Sequence, residues 1–302
     1  MNTMLIRPRP APEITLVFHP QQDTSYRHFQ DGEAHPFTPD AGRLGRRNAW
    51  WLAEAALLSY WPSDEVRARY GHVGFEVEPV FGGTTQSYVA WSDQAVFVTF
   101  RGTEPGEPGD TLDDLTFALA PWDKDAGLVH LGFKVALDRV WDALSARLAA
   151  LAPRRSVWFA GHSLGGALAA LAADRYPGTA GVITLGSPRV GDWHFAESYS
   201  KRFGARALRY VNDADVVTHL PPPIPYKHSG AARFIDPRGR VSDDPPTLHH
   251  YFGALFGDPG HVKELMVGLD RGQLHRAPDF LLDHMPRGYA VDIWNDYARS
   301  GD

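Results

Sequence analysis

The chain has 302 residues, of which 43% are hydrophobic and 22% charged, and its formal net charge at pH 7 is −6. This composition predicts a globular protein with a sizeable core, and the modest acidity argues against nucleic-acid binding, which usually needs a basic surface. The absence of cysteine excludes disulfides and thiolate chemistry. No window approaches the roughly 18 apolar residues of a membrane-spanning helix, and the N-terminus is a poor signal peptide. We therefore expect no transmembrane segment and a cytoplasmic location.

Residues 1–45 are rich in Pro, Asp, Gln and His and are predicted to be an N-terminal extension, followed by one domain over residues 46–302. That domain opens with RRNAWWLAEAALLSYW, an amphipathic pattern that predicts a helix ended by Pro62. Three runs rich in Val, Phe and Tyr follow: FEVEPVFGG, QSYVAWSD and AVFVTF. The turn residues between these runs predict strands paired as hairpins.

Helical and fully apolar segments alternate in the middle of the chain. Apolar residues at helical spacing predict a helix over residues 129–151, and an alanine-rich helix is expected to begin near Gly165. VWFA, GVITLGS and ALRYVND are the buried strands of this alternation, which predicts an α/β fold with a mostly parallel sheet flanked by helices. After Pro221, RFIDPRGRV predicts a hairpin and residues 248–269 a helix.

The stretch VWFAGHSLGGA combines a buried strand, one serine and a small-residue helix. A strand that runs straight into a helix must turn within very few residues, and side chains two positions either side of the apex would collide. Gly161 and Gly165 relieve that collision and leave Ser163 projecting from the C-terminal edge of the sheet. The pattern alone also fits a glycine-rich turn with an incidental serine, but the apolar strand and alanine-rich helix around it favour a nucleophile.

A serine nucleophile needs a base, and the base needs an orienting acid; in this kind of fold both usually follow the serine along the chain. Asp213 and Asp215 end one strand, and spacing does not choose between them. The candidate bases are His219, His228, His249, His250, His261, His275 and His284. His219 is too near Asp215 along the chain to reach Ser163, whereas His284 lies on a predicted loop from which it could fold back over the sheet edge.

Six segments in the same order resemble the class 3 lipases, a family of the α/β-hydrolase superfamily typified by fungal triacylglycerol lipases. The segments are AVFVTFRGTE, VHLGF, GHSLGGA, TLGSPRVGD, RYVNDADVVTHLPP and DHMPRGY, and the resemblance spans about residues 46–294. The resemblance implies an α/β-hydrolase fold and assigns Ser163 as nucleophile, Asp215 as acid and His284 as base. It leaves Asp213 a surface or capping role and makes His162 a packing residue.

The resemblance also implies an oxyanion hole and a lid. The backbone N–H of Leu164 and the N–H and hydroxyl of Thr103 would bind the oxyanion. The lid would be a short amphipathic segment with substrate-binding side chains, although such a stripe more commonly packs on a core. Its apolar residues are Leu112, Leu115, Phe117, Leu119 and Trp122.

The expected activity is hydrolysis of carboxylic esters of lipids by a triacylglycerol lipase or carboxylesterase, through an acyl-enzyme on Ser163 and with no metal or cofactor. The expected partner is a lipid or small ester, and the lid allows transient contact with a lipid interface. A phospholipase A1 or a feruloyl-type esterase are alternatives on the same fold, and an acyltransferase would share the acyl-enzyme. A non-catalytic lipid-binding protein is the rival from another class.

Overall fold

The computed structural model describes residues 4–39, 44–102, 117–123, 126–244 and 279–301. Its helices are α1 (Ile14–Phe18), α2 (Arg46–Leu58), α3 (Ser63–Gly71), α4 (Leu131–Leu151), α5 (Leu164–Arg175), α6 (Trp193–Phe203), α7 (Asp279–Leu282) and α8 (Pro286–Ser300). Its strands are β1 (Glu76–Gly82), β2 (Thr85–Trp91), β3 (Ala95–Phe100), β4 (Leu119–Pro121), β5 (Leu128–His130), β6 (Ser156–His162), β7 (Thr179–Leu185), β8 (Gly191–Asp192), β9 (Ala207–Asn212), β10 (Tyr226–Lys227), β11 (Ala231–Ile235) and β12 (Val241–Ser242).

The main sheet has eight strands in the order β1-β2-β3-β6-β7-β9-β11-β12. Its first three strands are antiparallel, as the predicted hairpins require. From β3 to β11 every neighbouring pair is parallel, and β12 closes the far edge as an antiparallel strand. The predicted mostly parallel central sheet is therefore confirmed.

Helices cover both faces of this sheet, which explains why its central strands are apolar without alternation. Along β6, Trp158 and Ala160 enter a core that also contains residues of α2 and α8. Val157 and Phe159 point the other way and enter a second core with residues of α4 and α5. The sheet thus separates two apolar cores.

A second, four-stranded sheet has the order β10-β8-β5-β4. Its pairing corrects two details of the predictions. The segment expected to begin a helix at residue 129 first forms β5, and the helix itself begins at Leu131. Residues 119–121, assigned to an amphipathic lid piece, form β4 against β5.

The N-terminal extension packs against the domain through specific contacts. The backbone N–H of Arg7 donates to the side chain of Asn295 at 2.8 Å, and the Arg7 guanidinium contacts Glu54 at 2.9 Å. Val17 and Phe18 of α1 belong to an apolar cluster that contains Leu281 and Val216. The boundary at residue 45 remains a prediction, since these contacts join the extension to the domain without dividing them.

Within the described ranges, none of the helices combines the length and apolarity that crossing a bilayer requires. The helix predicted over residues 248–269 lies outside the described residues.

Candidate active site

Ser163 sits at the apex between β6 and α5 with φ 58° and ψ −131°, a conformation that side-chain-bearing residues rarely adopt. A Cβ placed on Gly161 would come within 2.1 Å of the carbonyl oxygen of Gly165. A Cβ on Gly165 would come equally close, at 2.1 Å, to the carbonyl oxygen of Phe100. The structure therefore confirms the predicted collision across the turn for Gly161, whereas Gly165 is required by the close approach of β3.

Asp215 and His284 are brought together at the same sheet edge. Asp215 follows β9, and its carboxylate is fully buried. The Nδ1 atom of His284 lies 2.8 Å from Oδ2 and 3.0 Å from Oδ1 of Asp215. The same carboxylate accepts the backbone N–H of Val217 at 2.9 Å and the hydroxyl of Tyr289 at 2.6 Å. These neutral donors hold the carboxylate and leave His284 as its titratable partner.

His162, the residue before Ser163, connects the serine turn to His284. Its Nε2 lies 2.8 Å from the carbonyl oxygen of His284, and the two imidazole centroids are 4.4 Å apart. Since a carbonyl only accepts, Nε2 carries the hydrogen, and Nδ1 accepts from the Tyr60 hydroxyl at 2.8 Å. Burial, and then the charge of His284, hold the pKa of His162 well below its usual value. His162 is thus a neutral packing residue with both ring nitrogens occupied.

Gly186, which follows β7, allows the Asp215–His284 pair to form, and the sequence analysis missed it. Its φ is 55°, and a Cβ there would lie 2.6 Å from Oδ2 of Asp215 and 2.9 Å from Nδ1 of His284. The only signal in the sequence was a glycine at the end of an apolar strand. Tyr289 was also missed, because no local pattern links a tyrosine on α8 to an acid 74 residues earlier.

Asp283 is a second acid beside His284 without contact to its ring. Its carboxylate accepts the backbone N–H of Ala214 at 3.2 Å. Burial, followed by the nearby charge of Asp213, raises the pKa of Asp283 to about 7. The group therefore titrates in the neutral range next to the candidate base.

The other candidate acid and bases lie elsewhere. Asp213 adopts a left-handed turn conformation with φ 36°, and His284 contacts Asp215 instead. His219 is buried and its carbonyl accepts from Arg189, while His228 is half-buried on the wall of a separate cavity. The remaining candidate bases lie outside the described residues; they are His249, His250, His261 and His275.

Of the two predicted oxyanion donors, the structure describes Leu164, which directly follows Ser163. Leu164 is the first residue of α5, so its N–H has no acceptor within the helix and lies beside the serine. Thr103 is outside the described residues. Gly102, directly before it, comes so close that a Cβ there would lie 3.2 Å from the Cβ of Ser163 and 2.1 Å from the Tyr60 hydroxyl. The end of β3 therefore leads the chain past the serine.

The predicted lid residues separate into two groups. Leu112 and Leu115 lie outside the described residues. Leu119 belongs to β4. Phe117 is half-buried, and its carbonyl accepts a hydrogen bond from the Tyr226 hydroxyl at 3.0 Å. Trp122 is only 4% exposed.

The position of Trp122 does not support a lid role. Its indole N–H donates to the carboxylate of Asp174 at 2.8 Å, and its ring packs on Phe195 and beneath Arg175. Asp174 lies eleven residues along α5 from Ser163, a distance of about 16 Å at 1.5 Å per residue. Trp122 is a core residue, because a tryptophan at this position finds both an apolar neighbour and an acceptor for its N–H.

Across the described part of the chain, no cluster of three or more His, Cys, Asp or Glu side chains has an arrangement that could hold a metal ion. The geometry does bring a strained serine to the same sheet edge as a histidine whose Nδ1 is held by a buried carboxylate. Because Nδ1 of His284 faces Asp215, its Nε2 points away from that contact.

Comparison with known proteins finds similarity to one recognised family. The family model described as lipase (class 3) matches residues 97–224, which include Ser163 and Asp215. A lipase of Rhizomucor miehei is 34% identical over 157 residues, which are 48% of this chain and 42% of that protein. A solved structure of a Rhizomucor miehei lipase propeptide complex, a deletion mutant, aligns with a TM-score of 0.54 at 26% identity, over 64% of this chain and 67% of that chain.

Two further relatives bear on location and substrate. A secreted mono- and diacylglycerol lipase 1 of Fusarium solani is 35% identical over 135 residues, 41% of this chain and 40% of that protein. The chloroplastic phospholipase A1-Igamma1 of Arabidopsis thaliana is 31% identical over 187 residues, 48% of this chain and 35% of that protein. The chain spans less than half the length of each of these curated relatives.

The comparisons correct the predicted location. The cytoplasmic prediction was based on the weak signal-peptide pattern, and it is wrong: the similar fungal lipases, among them the secreted Fusarium solani protein, point away from the cytoplasm.

Proposed function

Because this chain belongs to the class 3 lipase family, we propose that it hydrolyses carboxylic esters of lipids through an acyl-enzyme on Ser163. The observation that carries the proposal is the His284–Asp215 contact of 2.8 Å at the edge where Ser163 projects. A serine hydroxyl is a weak nucleophile at neutral pH and needs such a base beside it.

In the first half of the proposed reaction, the Ser163 hydroxyl oxygen attacks the ester carbonyl while its proton passes to Nε2 of His284. Asp215 holds the other ring nitrogen and stabilises the imidazolium that forms. The oxygen that becomes negative is stabilised by the N–H of Leu164 and by Thr103. Loss of one such donor typically weakens transition-state binding by about 3 kcal/mol. The proton then moves from His284 to the departing alcohol, which leaves the acyl group on Ser163.

In the second half, water attacks the acyl carbonyl and gives its proton to Nε2 of His284. The second tetrahedral intermediate collapses, the carboxylic acid departs, and the proton returns to Ser163. Every bond made or broken involves only the ester, water and these side chains. An alcohol in place of water would give ester exchange by the same steps.

Acylglycerols are the substrates we propose first, since two of the relatives are named lipases and one of them a mono- and diacylglycerol lipase. Phospholipase A1 activity is the second candidate, supported by the similarity to the Arabidopsis thaliana protein of that name. Transient contact with a lipid interface is part of the proposal. It is supported by large apolar side chains exposed near the small sheet, Trp193 at 59% and Ile224 at 88%.

The test is hydrolysis of a p-nitrophenyl ester series, tributyrin and phosphatidylcholine by wild type and Ser163→Ala, each measured below and above substrate solubility. We expect Ser163→Ala to lower kcat by roughly 10⁶-fold while folding normally. Ser145→Ala, on a solvent-facing part of α4, is the matched control and should keep full activity. Unchanged turnover by Ser163→Ala, or failure of a serine-reactive phosphonate to label Ser163, would refute the acyl-enzyme.

A further inference from the structure

Arg209 lies in the middle of the parallel sheet, on β9, beside a cavity that takes no part in the proposed reaction. Arg209 is only 8% exposed. The cavity wall also includes Ser187, His228 and Ser229, together with the apolar faces of α5 and β7. The cavity has a volume of about 10 Å³, which is room for one small molecule or ion.

The guanidinium of Arg209 is not satisfied by the protein. Neither Nε nor Nη1 has a hydrogen-bond partner among the described residues, although both atoms are buried. Nδ1 of His228, on the same wall, is likewise without a partner in that part of the chain. Buried donors are nearly always paired, because an unpaired buried polar group loses its hydration without compensation.

Among the residues that line the cavity, the positive charge of Arg209 has no negatively charged partner, just as its donors have no acceptor. Burial, and then repulsion from Arg189, lower the pKa of Arg209 to about 10, so the side chain stays protonated at pH 7. Arg189 is itself occupied with backbone acceptors, since its Nη1 donates to the carbonyl of Pro221 at 2.6 Å. None of the described residues that line the cavity is an aspartate or a glutamate. Arg209 therefore faces the cavity with a second cation nearby and without a lining carboxylate.

We propose that this cavity binds one small monovalent anion of the halide class, with chloride as the ordinary occupant. Nε and Nη1 of Arg209 would donate to it, and Ser229 and His228 would complete its polar wall. The small volume excludes phosphate, sulfate and carboxylates. A water molecule would fit the space and accept the hydrogen bonds, but it would leave the charge of Arg209 unpaired, and a buried unpaired charge is strongly unfavourable.

The site is tested without any activity measurement, so its outcome is independent of the proposed hydrolysis. Thermal unfolding of the full chain is followed in sodium chloride and in sodium gluconate at equal ionic strength. Gluconate is too large for the cavity. A single site predicts that Tm rises with the logarithm of chloride concentration above Kd, by about 2 °C at ten times Kd and about 4 °C at a hundred times Kd. Equal Tm values in the two salts would overturn the proposal.

Arg209→Met removes the charge and both unpaired donors at similar volume, and it should abolish the chloride response. Arg233→Met is the matched control: this arginine lies on the neighbouring strand β11, pairs with Asp243 and does not line the cavity. It should keep the response. If Arg209→Met does not fold, anomalous diffraction from wild-type crystals grown in bromide decides the question. A bromide peak within about 3.5 Å of Nε of Arg209 supports the site, whereas a water in its place refutes it.

Discussion

Two regions of the molecule are organised around a fully buried carboxylate. At the sheet edge, the Asp215 carboxylate forms hydrogen bonds with the N–H of Val217, the hydroxyl of Tyr289 and Nδ1 of His284. At the junction between the N-terminal extension and α2, Glu54 is equally inaccessible to solvent. Its Oε1 atom accepts from a ring of three side chains, each at 2.9 Å: Arg7, Tyr26 and Trp50.

The two carboxylates differ in the kind of cation that faces them. Glu54 has a permanent one, Arg7, in addition to buried His28 at 3.5 Å. Burial opposes its ionisation, but the interactions with His28 and Arg7 outweigh burial and lower the pKa of Glu54 to about 2. Asp215 has only His284, whose charge depends on its protonation.

We propose that this difference separates a structural ion pair from a catalytic one. A permanent cation fixes the charge balance at every working pH, which suits a contact that holds the extension to the domain. A titratable partner changes its charge during turnover, and the fixed carboxylate can then stabilise the charged form. Burial alone therefore does not distinguish the two roles; the chemistry of the partner does.

The largest expected effect comes from Asp215→Asn. The amide keeps the shape of the carboxylate but presents the wrong group to Nδ1 of His284, so we expect kcat to fall by roughly 10⁴-fold with little loss of stability. Ester turnover and chemical unfolding measure the two effects. Asp213→Asn, two residues earlier, is the control and should stay within a few-fold of wild type. A greater loss in the control than in Asp215→Asn would assign the acid to Asp213.

Glu54→Gln should have the opposite effect to Asp215→Asn, a loss of stability without a loss of kcat. Removing this charge leaves Arg7 with the more exposed Asp31 as its acidic partner, which is expected to lower the free energy of unfolding by about 3 kcal/mol. The kcat of the folded fraction should be unchanged. Glu65→Gln, which breaks the exposed pair with Arg69, is the control and should cost less than about 1 kcal/mol. Similar small losses in both variants would mean that Glu54 does not hold the extension.

Glu54→Gln should also change how the stability of the protein depends on pH. Since folding depresses the pKa of Glu54 to about 2, its stabilisation is complete above the unfolded value of about 4.3 and is lost as pH falls from there towards 2. The free energy of unfolding, measured in urea across this pH window, should therefore change more steeply with pH for wild type than for Glu54→Gln. Parallel curves would contradict the assigned ionisation.

The smallest expected effect is that of Tyr289→Phe, which removes the 2.6 Å hydrogen bond to Asp215. A hydrogen bond to a charged group contributes about 1.5–3 kcal/mol, so kcat should fall by about 10-fold with KM nearly unchanged. Tyr297→Phe removes a hydroxyl on the same helix that contacts His35 and Arg47, and it should affect stability only. A change in KM alone for Tyr289→Phe would exclude the positioning role.

The sequence predicted features that depend on near neighbours. The Ser163 turn follows from collisions within five residues, and the apolar runs of β6, β7 and β9 follow from burial on both faces. Spacing alone could not choose Asp215 over Asp213, since both end the same strand. Resemblance to a family made that choice and selected His284.

Tertiary packing decided what local patterns could not. The amphipathic stripe ending at Trp122 was predicted to be a lid, but the neighbours Asp174 and Phe195 make this tryptophan a core residue. Helix α6 and strand β5 were not predicted. The secreted character of a relative overturned a location based on a weak N-terminal pattern.

By itself, then, the sequence determined the elbow, the sheet type and the strand end that carries the candidate acid, because these are set by backbone sterics and apolar periodicity over a few residues. Only the tertiary structure decided that the Tyr289 hydroxyl and the space left by Gly186 complete the Asp215–His284 pair. It likewise decided that Arg7 faces Glu54 and that Arg209 has no acid beside its cavity. These contacts join positions far apart in the chain, and their strength depends on burial and on the partner's charge.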